Sequence, residues 1–259
     1  MRQAAALCWL AGGLLAGCGG GAKVTGPPPP QIPQLALIET HALTIPEPSD
    51  VAIDDTGTSL WMVGNNPERV YQLDLAGALL KTLPYDGHNL EGVAFDSRDR
   101  TLWVAEENRR EVVHLDLNGG VLSRYALGLN GEQNSGLEGI CLDDGGHVFV
   151  LNEKLPGMFI DLDAALVIAT EDTLHFAKDY SGMTYDPQRA CFWITSDQSE
   201  RLFLWSKAGG VAAEYLLPFP KPEGVALDAA AHRIYVVSDS TKTLYVYQAP
   251  PGSVAAHAR

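Results

Sequence analysis

Apolar residues fall in short runs separated by clusters of Asp, Gly and Asn, and no stretch sustains a helical period. Runs such as "LWMV", "LWVA", "VFVL", "FWIT" and "IYVV" are rich in aromatic and β-branched residues and read as strands. The pattern repeats. "LEGVAFD" at 90–96, "LEGICLD" at 137–143 and "PEGVALD" at 222–228 share one phrase, and "SGMTYD" at 181–186 and "SDVAID" at 49–54 are weaker copies. Aligned on the residue before the glycine, the slots are Ser49, Glu91, Glu138, Ser181 and Glu223, spaced by 42, 47, 43 and 42 residues. An aromatic follows each slot at a near-constant distance: Trp61, Trp103, Phe149, Trp193 and Tyr235.

Each copy reads as four short strands joined by turns. A four-stranded unit repeated at this period is the pattern of propeller blades, which must stack around an axis to bury both faces. The strands available after each slot give five inner strands but only four outer ones. An orphan strand-like run, "LALIETHALTI" at 35–45, precedes the first copy. Placed on the outer edge of the last blade it completes the set, so the expected fold is all-β: a five-bladed propeller of four-stranded antiparallel blades. The N-terminal strand would close the ring and remove an open sheet edge. The matched aromatics are expected to fill the space between blades. The aspartates closing each phrase (Asp54, Asp96, Asp143, Asp186 and Asp228) are expected to begin turns.

A glutamate at the head of an apolar strand is costly without water or a partner. Antiparallel pairing returns the end of each second strand to the face where the first began. That places Glu107, Glu153, Asp197 and Asp239, with Asn65, beside Glu91, Glu138 and Glu223 at one channel mouth. Two readings stand. A hard divalent cation, calcium above all, would relieve the repulsion, with Ser49, Ser181, Asn65 and Asn108 as neutral oxygen donors. Alternatively the glutamates latch neighbouring blades through backbone N–H groups, and the glycines simply allow close approach of strands. No His/Cys cluster has zinc spacing, and the seven histidines read as surface, turn or tail residues.

The chain has 259 residues and a formal charge of −14, which argues against nucleic acid as a partner and favours cations. Residues 1–17 have a positive start and an apolar stretch too short to span a bilayer. The stretch ends in Leu15-Ala16-Gly17-Cys18, which resembles the lipobox of bacterial lipoproteins. The resemblance implies cleavage before Cys18, acylation of Cys18 (palmitate among the chains), and attachment to a membrane of the cell envelope, facing the periplasm. Gly19 implies the outer membrane over the inner. Residues 18–33 would then be a Gly/Pro-rich tether, 34–249 the propeller and 250–259 a disordered tail. Cys141 and Cys191 remain, and the repeat register places these two thiols in different sheets, unpaired.

The phrases "VGNNPERVYQLD", "NLEGVAFD…LWVAEEN", "GLEGICLD…LNEKLPGMFIDLD", "DYSGMTYD…FWITSDQS" and "KPEGVALD…VVSDS" resemble the SdiA-regulated family, also described as YjiK/CarP-like β-propellers. The resemblance runs from Leu35 to Tyr247. It implies a cell-envelope propeller, linked to calcium in some members, that acts as a binding or interaction module. Its partner would be an envelope protein, or a small anionic ligand held through the metal. A shorter stretch, "EGVAFDSRDRTLWVAEEN", is similar to β-propeller phytases, and there implies calcium held by Glu91, Glu106 and Glu107 for phosphate hydrolysis. Such chemistry also needs a cluster of cationic side chains. Only Arg109, Arg110, Lys154 and Lys221 are available near this mouth. A metal-independent protein-interaction scaffold is the third alternative. No nucleophile elbow or phosphate-binding glycine loop is present, and no catalytic residue is assigned.

Overall fold

The computed structural model describes residues 31–129 and 135–251. The expected signal peptide, Cys18, all but the last three residues of the tether and all but the first two of the tail lie outside the described residues. No helix occurs among the described residues; twenty strands do.

The first strand, β1 (Leu37–Ala42), stands apart. Blade one then runs β2 (Pro48–Ile53), β3 (Ser59–Asn65), β4 (Glu68–Asp74) and β5 (Leu79–Thr82). Blade two is β6 (Leu90–Asp96), β7 (Thr101–Glu106), β8 (Glu111–Leu115) and β9 (Val121–Ala126). Blade three is β10 (Leu137–Leu142), β11 (Val148–Asn152), β12 (Met158–Leu162) and β13 (Ile168–Thr173). Blade four is β14 (Met183–Asp186), β15 (Cys191–Ser196), β16 (Arg201–Ser206) and β17 (Gly210–Leu216). Blade five is β18 (Pro222–Asp228), β19 (Arg233–Ser238) and β20 (Thr243–Gln248), and its fourth strand is β1. All pairings within blades are antiparallel, and β1 lies on β20 with Leu37 opposite Tyr247 and Ala42 opposite Thr243. The five-bladed propeller and its closure by the N-terminal strand are as the repeat arithmetic predicts.

The inner strands β2, β6, β10, β14 and β18 touch one another in ring order. The hydrophobic core is divided accordingly into five clusters, each between two blades. Trp61 of blade one packs with Val93 and Val104 of blade two. Trp103 packs with Ile140 and Val150 of blade three, and Phe149 with Phe192 of blade four at 5.0 Å between ring centroids. Trp193 packs with Val225 and Val236 of blade five, and Tyr235 with Val51 and Leu60 of blade one. A blade has two apolar faces, and this packing buries both. The phrase-closing aspartates cap turns: Asp54 accepts the Thr58 amide at 2.9 Å, Asp143 that of His147 at 2.9 Å, and Asp228 that of Ala231 at 2.8 Å. Cys141 on β10 and Cys191 on β15 are free and in separate sheets.

Two of the histidines lie on strands with partly exposed side chains. His41 lies on β1, and His114 lies on β8, stacked on Trp103 at 4.1 Å. His114 stands directly opposite Trp103 in the β7–β8 pairing, which lets the imidazole cover the indole.

Candidate functional site

The Glu-Gly phrase sits where the inner strand is irregular. Pairing between β6 and β7 shifts between Leu90 and Gly92, leaving Glu91 as the extra residue. The same shift spans Ser49 in blade one, Glu138 in blade three and Glu223 in blade five. A bulge bends its strand and re-aims a side chain. That is why a carboxylate can stand in an apolar strand: it turns into the channel while its neighbours stay in the core.

The glycine that follows has a separate cause. A methyl group on Gly139 would stand 2.7 Å from the Met183 amide nitrogen, and one on Gly182 2.5 Å from the Glu223 carbonyl oxygen. One on Gly92 would strike the Glu138 carbonyl, and one on Gly224 the backbone of Asp50. Each slot glycine thus admits the next inner strand. Blade one breaks the rule with Asp50, which is fully buried and bonds the neighbouring inner strand through its carboxylate.

The second set of acids is placed by backbone hydrogen bonds. The amide of Glu107 donates to the carbonyl of Asn89 at 2.9 Å, Glu153 to Gly136 at 3.0 Å, and Asp239 to Lys221 at 3.3 Å. The Asp197 amide donates to Ser181 Oγ at 3.2 Å. Each acceptor but Ser181 lies two residues before a slot. The two sets therefore meet at one mouth, around a cavity of about 700 Å³. Glu91, Glu138, Glu153, Asp197, Glu223 and Asp239 line it, as do Ser49, Ser181 and Asn65. Glu107 is not among the lining residues, yet one of its oxygens lies within 4.8 Å of oxygens from both Glu138 and Glu153. Asn108 does not line the mouth. Glu106, on β7, is turned away: it is fully buried and accepts from Tyr85 Oη at 2.5 Å and Arg124 Nη1 at 3.0 Å.

Residues missed from sequence also line the mouth: Glu47, Gln198, Ser240 and Lys242. Glu47 and Lys221 occupy the same offset, two residues before a slot, so extending the repeat alignment backwards would have found Glu47. Of the cations considered for phosphate, Lys154 and Lys221 line the cavity, and Arg109 and Arg110 are not among the lining residues. Lys221 is held by Asp239 at 2.8 Å, and Arg109 stands 3.7 Å from Glu106.

The latch and cation readings divide between residues. Glu107 is a latch: it accepts the Gly136 amide at 2.9 Å and the side-chain amide of Asn89. Glu91 accepts from Asn65 Nδ2 at 2.6 Å, across the first blade boundary. Glu138 accepts no hydrogen bond and forms no ion pair among the described residues. Burial pushes the Glu91 carboxyl up to about 7; the Asn65 hydrogen bond opposes this and the Glu107 charge adds to it. Burial also holds Glu138 well above the usual carboxylate range, helped by the charges of Glu91, Glu153, Glu223 and Glu107. Glu223 is raised by burial and then by Asp197, against the pull of Lys221. Among the described residues, seven carboxylates and three lysines share the lining, so negative charge is in excess there. Among the described residues the lining offers oxygen donors and no Cys or His, which suits a hard cation.

A family model described as SdiA-regulated matches residues 38–248. The chain belongs to the SdiA-regulated family. No curated protein matches it. Solved structures share the fold with this SdiA-regulated propeller at low identity. A catalytically inactive virginiamycin B lyase from Staphylococcus aureus, with quinupristin, is 14% identical at a TM-score of 0.51; the match covers 77% of this chain and 66% of that one. The nidogen/laminin complex gives 16% identity and a TM-score of 0.58, covering 77% and 74%. A protein of unknown function from Bacteroides caccae gives 9% and 0.55, covering 74% and 70%. These likenesses speak to the fold alone.

Proposed function

We propose that this SdiA-regulated propeller is a binding module that takes a divalent cation, calcium, at its acidic mouth. The observation that carries the reading is Glu138: a half-buried carboxylate without a partner among the described residues, facing Glu91, Glu107, Glu153 and Glu223. Such a group either stays protonated or waits for a cation. Oxygens at about 2.3–2.6 Å from calcium can stand up to about 5 Å apart across it, whereas magnesium requires a tighter octahedron. The Glu107, Glu138 and Glu153 oxygens fall within the wider limit. Ser49, Ser181 and water would complete the shell.

A lipid on Cys18 would hold this module on the cell envelope, periplasm-facing, within reach of an envelope protein or a small anionic ligand bridged through the cation. Titration calorimetry and thermal melting with calcium and with a chelator test the reading. Saturable binding and a higher melting temperature with calcium are expected. Absence of both in folded protein removes the cation from the proposal. A Cys18→Ser variant tests the anchor separately: the protein is expected to move from the membrane fraction to the soluble one.

A further inference from the structure

We propose that Lys154 is a built-in competitor of the cation, an ammonium that occupies Glu153 in the empty site and must be displaced when the cation enters. The inference rests on the cation reading of the mouth and concerns its regulation. Glu153 and Lys154 are adjacent at the turn after β11, and Lys154 Nζ is ion-paired with Glu153 Oε1. The equivalent position beside the other second-set residues is Asn66, Asn108, Gln198 or Ser240, so only blade three places a cation there. Glu153 is one of the three carboxylates whose oxygens converge, and the other two differ from it. Glu107 is occupied by amide donors, and Glu138 has no partner among the described residues.

The pairing has two consequences of opposite sign. Without a metal, the ammonium is paired with one member of the triad: it opposes the burial that pushes Glu153 up, and it also faces Asp179 and Glu138. It therefore stabilises the empty site. With a metal, the same ammonium holds a ligand oxygen and repels the incoming charge, so it weakens binding. The Lys154 side chain is about one-third exposed, at 32%, against 14% for Glu153, so it can swing to solvent while the carboxylate stays. An exchange of one ammonium for one cation makes the mouth a weaker and more readily reversible site than its carboxylates alone would give.

The test compares wild type, Lys154→Met and Lys154→Gln, with Lys207→Met as a control that removes the same charge from an ion pair with Asp172 on the outer strands. Calcium itself is the probe, read by calorimetry, and each protein is melted in chelator. Lys154→Met and Lys154→Gln are expected to bind calcium on the order of tenfold more tightly and to melt at a lower temperature in chelator. Lys207→Met is expected to leave affinity unchanged. Wild type that binds calcium, with both Lys154 variants binding equally or more weakly, overturns the competitor role and leaves the site standing. A gain shared by Lys207→Met overturns it too, since the effect would then be one of net charge. Folded wild type that binds no calcium overturns the site and the inference together. If Lys154→Met fails to fold, Lys154→Gln, which keeps a hydrogen-bond donor, carries the comparison.

Discussion

Asp50 Oδ2 accepts the backbone amide of Val93 at 2.9 Å, joining the inner strand of blade one to that of blade two, while its Oδ1 accepts the Val51 amide at 2.8 Å. This carboxylate stands where four other blades have glycine. It is fully buried, and burial raises its pKa against the pull of these amides. Asp50→Asn keeps the shape but turns an N–H toward one of the donors. A buried amide left unpaired costs about 1–3 kcal/mol. The unfolding free energy of Asp50→Asn, read from urea titration, should fall by that much, and that of Asp50→Gly at least as far. A neutral Asp50→Asn would mean that the carboxylate does not hold this seam.

The Glu91 carboxyl, raised to about 7 from an ordinary 4.5, makes the metal-free fold less stable as pH rises. Between those values the native state binds more protons than the unfolded chain, so stability declines across that window and levels above it. At about 1.4 kcal/mol per pH unit, the share of the loss owed to Glu91 is roughly 3 kcal/mol at most. Melting in chelator from pH 4.5 to 8 should show this decline, and Glu91→Gln should reduce it, the remainder belonging to Glu138 and Glu223, which burial also raises. His114, whose pKa is lowered by burial, works in the other direction in this range, but it is common to both proteins and drops out of the difference. Calcium should reverse the trend, with its stabilising effect greater at pH 8 than at pH 5.

Glu138 gives the sharpest separation of the two readings of the Glu-Gly phrase. A latch loses stability when its carboxylate is removed. An unpartnered carboxylate among like charges gains it. Glu138→Gln should be more stable than wild type in chelator, by on the order of 1 kcal/mol at neutral pH, and so melt higher, and should lose most of the calcium response. Glu107→Gln should melt lower, because the Gly136 amide and Asn89 side chain lose a charged acceptor. Matching losses in both variants would make the ring structural.

The blade count and the ring closure were readable because a fixed period is a one-dimensional signal: the slots Ser49 to Glu223 and the aromatics Trp61 to Tyr235 repeat whatever the side chains do in detail. The convergence of Glu91, Glu138, Glu223, Glu153, Asp197 and Asp239 followed from the same period plus antiparallel pairing. Hydrogen-bond partners did not follow. Glu106 and Glu107 are neighbours in sequence, yet one faces the Tyr85 and Arg124 pair and the other the mouth, a difference set by where β7 ends. Asp50 read only as a flaw in the repeat, because its role depends on the amide of Val93, 43 residues away. Lys154 was legible as a charge but not as the counter-ion of Glu153, since rotamer choice leaves no periodic trace.

The closure by β1 gives blade five its outer strand and covers the free edge of β20. Leu37 and Ile38 are exposed, at 52% and 40%, so β1 is held chiefly by its ladder with β20 rather than by burial. A chain beginning at residue 43 would expose the β20 edge, Thr243–Gln248, with unpaired N–H and C=O groups along an apolar strand. That edge is a template for a second copy. The truncated protein should elute as dimers or larger species in a concentration-dependent way, and should melt well below the full chain. Adding a peptide of residues 35–45 should reverse that association, since the missing strand contributes backbone pairing that does not require covalent linkage. A truncated chain that stays monomeric with an unchanged melting temperature would show that blade five is complete without β1.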